Sequence, residues 1–350
     1  MGFKTKTTMN HVYIIAEAGV NHNGEPEKAL QLVDIAAESG ADAVKFQTFS
    51  ADRLVIKGAP TAQYQKEKTG ETDQYNLLKK LELPLYFYPK LIEYCQKKGI
   101  EFLSTPFDEE AAEFLIKLGM KKIKVPSGEL TNLPFLKFLA SKKLPMIVST
   151  GMSNLEEVKQ AVEIITQEMD TIGFRDSNRL SLLHCTSNYP TPLNSVNLRS
   201  MEILKKQFKV PCGYSDHTEG IQVSILAAAA GAKIIEKHFT LDRNLSGPDH
   251  KASIEPKELK EMVTQIRLTE QILGDYKKEP TTSEWSVRTV VRKSIATARA
   301  IKAGEKITEE DLTFIRPGTG LSPEKAIKII GKYATKDLAK NYILTENDVK

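Results

Sequence analysis

The sequence predicts a (β/α)₈ barrel followed by a small C-terminal module. Two observations carry that expectation. Short apolar segments alternate with helical patterns through the first three quarters of the chain, and roughly eight strand–helix units in about 270 residues match the usual size of such a barrel. A doubly wound open sheet is the main competitor, but it usually carries a glycine-rich phosphate turn after its first strand. Here that place is taken by Glu17-Ala18-Gly19-Val20-Asn21-His22-Asn23-Gly24, which is polar and reactive rather than glycine-rich.

In chain order, strands are expected at Val12–Ala16, Ala43–Gln47, Glu101–Ser104, Lys122–Val125, Pro145–Thr150, Leu180–Cys185, Val210–Tyr214 and Lys233–His238. Between them, Pro26 and Gly40 bracket one helix, Asp108 and Gly119 another, and Pro256 and Gly274 a further one, since proline favours helix starts and glycine helix ends. Ser153 and Glu156 have the spacing of a capping box before Val158, Ala161, Val162 and Ile165. The polar, tyrosine-bearing stretch Ala51 to Leu83 reads as an inserted loop over one end of the barrel, because loops of that length are usually functional.

The barrel is expected over residues 1–275, a linker over 276–289 and a compact module over 290–350. Within the module, Thr308-Glu309-Glu310-Asp311-Leu312 is echoed by Thr345-Glu346-Asn347-Asp348-Val349. The echo predicts internal pseudo-symmetry, each threonine capping a short turn.

Composition narrows the function. At 41% hydrophobic and 27% charged residues, the chain is an ordinary globular protein. Its net charge of +4 is spread along the sequence; that suits an acidic substrate and falls short of a nucleic-acid footprint. Glu17 interrupts the first apolar run, which argues against a signal peptide. The run Ile225 to Ala232 is far shorter than the ~20 residues that span a bilayer. Cys95, Cys185 and Cys212 lack paired spacing, so a reduced, cytoplasmic protein without membrane or nucleic-acid partners is expected.

Barrel chemistry gathers at the C-terminal ends of the strands, and suspicious residues fall there in succession. They are Glu17, Lys45 and Gln47, Thr105, Lys124 with Ser127, Ser149 with Thr150, then His184, Asn188 and Tyr189, followed by Ser215, Asp216 and His217, and finally Glu236 and His238. Side chains alternate along a strand, so Glu236 and His238 share one side while Ile235 and Lys237 take the other. Lys45 and Lys124 beside hydroxyls form the makings of an anion cradle. His217 and His238, on neighbouring strands and without thiolates, suit Mn²⁺, Zn²⁺, Co²⁺ or Fe²⁺ better than Ca²⁺. His184, beside a cysteine in an apolar strand, is expected to be structural.

The motifs in this order also carry a resemblance. They are Ile15-Ala16-Glu17-Ala18-Gly19-Val20-Asn21-His22-Asn23-Gly24, Val44-Lys45-Phe46-Gln47-Thr48, Ser104-Thr105-Pro106-Phe107-Asp108, Pro126-Ser127-Gly128-Glu129 and Ser149-Thr150-Gly151-Met152. After them come His184 through Pro192, Ser215-Asp216-His217, Glu236-Lys237-His238-Phe239-Thr240, Gly247-Pro248-Asp249 and Arg316-Pro317-Gly318. Nearly end to end, the chain resembles the N-acetylneuraminate (sialic acid) synthase family.

The resemblance implies a (β/α)₈ barrel joined to an antifreeze-like (SAF) module in a domain-swapped homodimer. It implies condensation of phosphoenolpyruvate with N-acetylmannosamine and water to N-acetylneuraminate and phosphate. His217 and His238 would hold a divalent metal, typically Mn²⁺, with Mg²⁺ or Co²⁺ as substitutes. Lys45, Thr105, Lys124, Ser127, Ser149, Asn188 and Ser215 would hold phosphoenolpyruvate. Gln47, Tyr189, Asp249 and Arg316 would contact the sugar, with Arg316 supplied by the other subunit.

Glu17 and Glu236 are the expected catalytic acid/base pair. Glu17 would orient or deprotonate the attacking water or stabilise a cationic carbon, and Glu236 would manage the proton at the aldehyde oxygen. The nearest rival is a synthase acting on a 6-deoxy-diacetamido hexose, giving legionaminic or, less in keeping with the Gly247–Ser253 stretch, pseudaminic acid. A metal-dependent aldolase and a non-catalytic ice- or glycan-binding protein are the more distant alternatives.

Overall fold

A computed structural model describes residues 11–62, 66, 68–171 and 179–350. The chain divides into two compact units, Met1–Gly274 and Asp275–Lys350.

The first unit is the expected barrel. Its strands are β1 (Tyr13–Gly19), β2 (Ala43–Thr48), β3 (Glu101–Pro106), β4 (Ile123–Val125), β5 (Met146–Ser149), β6 (Leu180–Cys185), β7 (Cys212–Asp216) and β8 (Ile234–His238). Seven parallel pairings run β3-β2-β1-β8-β7-β6-β5-β4. The seam between β3 and β4 is bridged at its lower end, where Lys122 Nζ donates to Glu101 Oε1 at 2.6 Å. Helices wrap the outside, among them Pro26–Glu38, Glu109–Lys117, Leu155–Thr171 and Pro256–Leu273.

Strand period decides which residues face inward. Val44, Phe46, Val125, Val148, Leu182, Tyr214 and Ile235 pack outward in the layer between sheet and helices. Ile15, Ala43, Leu103, Ile147, Leu183 and Ile234 form a separate apolar plug within the barrel. Two residues beyond each plug position come Glu17, Lys45, Thr105, Ser149, Cys185 and Glu236. The plug therefore becomes the floor of a polar layer, and a further step of two reaches Gln47 and His238.

Local signals differ from expectation in three places. The helix Leu155–Thr171 is capped one residue later than Ser153: Asn154 N donates to Glu157 Oε2 at 2.8 Å and Glu157 N to Asn154 Oδ1 at 3.0 Å. Asparagine caps as well as serine does, and here Ser153 Oγ instead donates to Gly151 O. The stretch after β2 is more than a loop, since it carries the helices Ala51–Leu54 and Gln74–Leu81. The segment read as a linker overlaps the helix Glu284–Val291.

In the second unit, β9 (Ser294–Thr297) pairs antiparallel with β10 (Leu312–Ile315) over buried Ile295, Ile307 and Leu344. The echo is real at the level of hydrogen bonds. Thr308 Oγ1 donates to Asp311 and Thr345 Oγ1 to Asp348, both as capping boxes. Each aspartate then meets a cation at the equivalent place, Arg299 at 2.6 Å and Lys336 at 2.8 Å.

Candidate active site

The strand ends open into a cavity of about 560 Å³ lined by Glu17, Lys45, Gln47, Thr105, Lys124, Ser127, Ser149, Tyr189, Ser215, His217, Glu236, His238 and Asp249. A register shift between Glu17 and Gly19 in the β1–β2 pairing marks a bulge. Such bulges re-aim side chains at barrel rims.

Two buried lysines organise the floor. Lys45 Nζ lies 2.9 Å from Glu17 Oε2 and donates to Thr105 Oγ1 at 3.0 Å. Lys124 Nζ donates to Ser149 Oγ at 2.7 Å and to the Val125 carbonyl at 3.0 Å. Each lysine stands 3.8 Å from Glu236 Oε1, which also accepts from Ser215 Oγ at 3.2 Å. Ser127 Oγ accepts from Gly151 N at 2.9 Å and touches Cys185 Sγ at 3.1 Å.

The two glutamates are shifted in opposite directions. Burial pushes Glu17 up to about 7, a rise that Lys45 opposes and the charge of Glu236 assists. Burial also works to raise Glu236, but Lys124 and Lys45 outweigh it and hold the carboxyl below its ordinary value. Burial lowers Lys124. It would lower Lys45 too, but the flanking carboxylates Glu17 and Glu236 raise that ammonium overall. A pair of carboxyls pushed apart in this way is how acid and base roles are divided in one site.

At the next level up, His217 and His238 come together with ring centroids 5.7 Å apart. His217 Nδ1 is 2.7 Å from the Thr186 carbonyl. A carbonyl only accepts, so the proton sits on Nδ1 and the Nε2 lone pair faces the cavity. There it receives the Tyr189 hydroxyl at 3.0 Å. His238 Nδ1 is buried without a hydrogen-bond partner, 3.9 Å from Asp249 Oδ2. Burial and the neighbouring His238 depress His217 to about 4, and burial lowers His238.

Two neutral imidazoles, one with an orphaned nitrogen, suit a borderline divalent ion once the tyrosine releases its hydrogen bond. Among the described residues no third His, Cys, Asp or Glu completes a cluster with them. Coordination would therefore leave positions for substrate oxygens and water.

Several residues singled out in the sequence lie elsewhere in the structure. Asn188 is exposed and lines a separate groove of about 550 Å³ with Met152, Leu155 and Ile203. In the irregular run after β6 its neighbours Ser187 and Tyr189 line the barrel cavity and Asn188 does not. Thr150 belongs to that groove too, its hydroxyl donating to the Leu183 carbonyl. Asp216 faces the outer layer, where it accepts from Thr218 and Ser224 and pairs with Lys237. Arg316 lies exposed on the second unit. His184 is structural as expected, its Nε2 2.8 Å from the Val196 carbonyl.

Sequence reasoning missed the apolar side of the cavity. Val20, Phe49, Leu77 and Leu81 form a buried cluster with Leu54, Leu78 and Phe107, and all seven line the wall. The signal was present in Leu77, Leu78 and Leu81, which have helical spacing after the capping residue Asp73. Also missed was the clamp on the loop that bears Asp249. Asn21 Nδ2 donates to Ser253 Oγ at 2.9 Å, and Ser253 Oγ donates to the Asp249 carbonyl at 2.8 Å.

A barrel whose mouth pairs an anion cradle with two buried carboxyls shifted in opposite directions defines an enzyme that acts on an anionic substrate. Residues 32–278 match the NeuB family and residues 292–350 the SAF domain. The chain belongs to the NeuB family of sialic-acid-type synthases. It is 49% identical over 339 residues to the N,N'-diacetyllegionaminic acid synthase of Legionella pneumophila, covering 97% of this chain and 94% of that protein. The N,N'-diacetyllegionaminic acid synthase of Campylobacter jejuni is 47% identical, covering 97% of this chain and 100% of that protein. Among solved structures, the N-acetylneuraminic acid synthetase of Leptospira borgpetersenii, crystallised with citrate, is 37% identical. It superposes with a TM-score of 0.68 over 79% of this chain and 90% of that one.

Proposed function

We propose that this chain condenses phosphoenolpyruvate with a 6-deoxy-diacetamido hexose and water, giving N,N'-diacetyllegionaminic acid and phosphate. One observation carries the choice of acceptor. Identity to two synthases of that name reaches 49% and 47% over almost the whole chain, against 37% for the N-acetylneuraminic acid synthetase. N-acetylmannosamine, the first acceptor that the sequence motifs bring to mind, gives way to the deoxy sugar on that ground.

The floor suits phosphoenolpyruvate. Lys45 and Lys124 offer ammonium groups, and Thr105, Ser149, Ser127 and Ser215 offer hydroxyls; Lys45 donates to Thr105, Lys124 to Ser149 and Ser215 to Glu236, while Ser127 accepts from Gly151 N. Such groups align a bound anion without reorganising during reaction. A divalent ion held by His217 and His238, Mn²⁺ by preference, would supply Lewis-acid polarisation of the sugar aldehyde.

In the reaction the enol carbon C3 attacks the aldehyde carbon and forms the new C–C bond. The carbonyl oxygen takes up a proton, C2 becomes electron-poor, and water adds there before the C2–O bond to phosphate breaks. Glu236, held ionised between two lysines, opposes positive character at C2 and accepts the proton of the attacking water. Glu17, half protonated near neutral pH, is the group able to hand a proton to the aldehyde oxygen. This reverses the division expected from sequence, and it rests on burial raising Glu17 while the two lysines hold Glu236 below its ordinary value. Gln47, which donates to Glu17 Oε1 at 3.1 Å, holds that carboxyl in place. Tyr189 and Asp249 flank the sugar end. Arg316 of the partner subunit would complete that end in a homodimer, which sedimentation of the purified chain checks.

The experiment is a phosphate-release assay with phosphoenolpyruvate, Mn²⁺ and a panel of N-acylated hexoses. The 6-deoxy-diacetamido hexose is expected to give the highest kcat/KM. Turnover of N-acetylmannosamine above it would falsify the choice of acceptor, and sugar cleavage without phosphate would point to an aldolase.

A further inference from the structure

The cavity has two chemically opposed ends. Its floor is ionic, with Lys45, Lys124 and Glu236 buried against one another. Its mouth is walled by the apolar cluster, of which Leu54, Leu78 and Phe107 stay partly exposed. These three present the free apolar surface, while Val20, Phe49, Leu77 and Leu81 back them. The wall is built to stay in place. Ala51 N, which opens the helix Ala51–Leu54, donates to Glu82 Oε1 at 2.7 Å, just past the end of Gln74–Leu81. Asp73 caps the second helix by accepting from Tyr75 N at 2.9 Å.

Which end of the acceptor meets this wall follows from the chemistry. The aldehyde carbon must lie against the enol at the anionic floor, so the sugar chain extends upward and its far carbon, C6, arrives at the mouth. We infer that Leu54, Leu78 and Phe107 form a subsite for the C6 methyl group of a 6-deoxy sugar and select it over a C6 hydroxyl. This rests on the reading of function above and assigns its specificity to the inserted segment and to the residue that follows β3. A methyl group gains by leaving water for such a surface. A hydroxyl placed there loses its hydrogen bonds to water without replacement. An apolar pocket rejects an added hydroxyl by no more than about 10²-fold, which sets the scale.

The test measures kcat/KM by phosphate release for two diacetamido hexoses that differ only in whether C6 carries a hydroxyl. The native chain is expected to favour the 6-deoxy sugar by roughly 10- to 100-fold. Leu54→Asn and Leu78→Asn should each reduce that ratio about tenfold, with KM for phosphoenolpyruvate unmoved, and Leu78→Met should keep the preference. Circular dichroism melts establish that the variants fold. Gln74 lines the same cavity, so Gln74→Leu is the control. If the ratio collapses in Gln74→Leu and survives in the leucine variants, recognition runs through a hydrogen bond and the inference is overturned. A native chain that turns over both diacetamido sugars equally also overturns it, while leaving the proposed reaction intact. N-acetylmannosamine outrunning both sugars sinks the proposed acceptor, and the subsite with it, since that acceptor carries a C6 hydroxyl.

Discussion

Asp216 and Lys237 sit directly opposite each other in the pairing of β7 and β8, and form an ion pair at 3.2 Å that solvent does not reach. Each immediately precedes one of the two histidines that converge in the cavity. The pair is tied on both sides, Asp216 Oδ2 accepting from Ser224 Oγ at 2.6 Å and Lys237 reaching the Thr218 carbonyl at 2.5 Å. Because successive strand residues face opposite ways, this outer pair pins the relative height of His217 and His238 on the inner face.

Asp216→Asn leaves a buried ammonium without its counter-charge and is expected to destabilise the barrel by about 3–5 kcal/mol. The double variant Asp216→Leu with Lys237→Met should recover much of that loss. Urea unfolding of Asp216→Leu, Lys237→Met and the double variant gives the coupling; simple additivity would show that the pair does not act as a unit.

Gly151→Ala should cripple anion binding. A Cβ there would lie 2.5 Å from Ser187 Oγ, 2.8 Å from Ser127 Oγ and 2.9 Å from Cys185 Sγ. Ser127 must then leave the floor, and we expect KM for phosphoenolpyruvate to rise at least about tenfold, or ~1.4 kcal/mol. Steady-state kinetics at saturating sugar checks it, and an unchanged KM counts against Ser127 as a ligand.

Glu17 makes stability depend on pH. Its folded value of about 7 lies above the ordinary carboxyl value of 4.5, so the native state holds the proton more tightly. The stabilisation this gives is complete below about pH 4.5 and is lost as pH rises through 7. Glu17→Gln escapes that loss. Its stability relative to the native chain should therefore climb by on the order of 2 kcal/mol between about pH 5 and 9. Denaturation series at several pH values read this directly, and a flat difference would remove Glu17 as a group titrating near neutrality.

The proposed metal site should resist mild acid. Protons compete with a metal for imidazole nitrogen, and His217 is depressed to about 4. Occupancy is expected to persist at about pH 6 and to fall toward pH 4. Chelation or His217→Ala with His238→Ala should abolish it. Equilibrium dialysis with Mn²⁺ gives the answer without reference to turnover; retention of stoichiometric metal by the double variant would place the ion elsewhere.

Glu236→Gln tests the floor. It removes the charge that both lysines face at 3.8 Å, and turnover should drop well beyond tenfold. Phosphoenolpyruvate binding, followed by calorimetry, should survive or tighten, because the variant leaves Lys124 without its carboxylate and Lys45 with Glu17 alone. A turnover within tenfold of the native chain would take Glu236 out of the mechanism.

Much of this protein was legible in its sequence. The strand ends with Glu17, Lys45 and Glu236 could be read because period-two alternation is local, and an apolar residue two positions earlier announces the inward face; His238 follows two residues after Glu236. The caps at Thr308 and Thr345 were legible for the same reason. What the sequence by itself determined is thus the barrel, the inward direction of its polar layer and the family chemistry that layer resembles.

Tertiary structure decided the rest. Whether Glu17 or Glu236 holds the proton depends on burial and on lysines brought from other strands, and that balance has no counterpart along the chain. Asn188 lies outside the barrel cavity, in an irregular segment where strand alternation offers no rule. The apolar wall exists only because Phe49, Leu54, Leu78 and Phe107, from separate segments, meet above the ionic floor. Side-chain direction is a local property of the backbone; charge, pKa and the shape of a cavity are sums over neighbours in space.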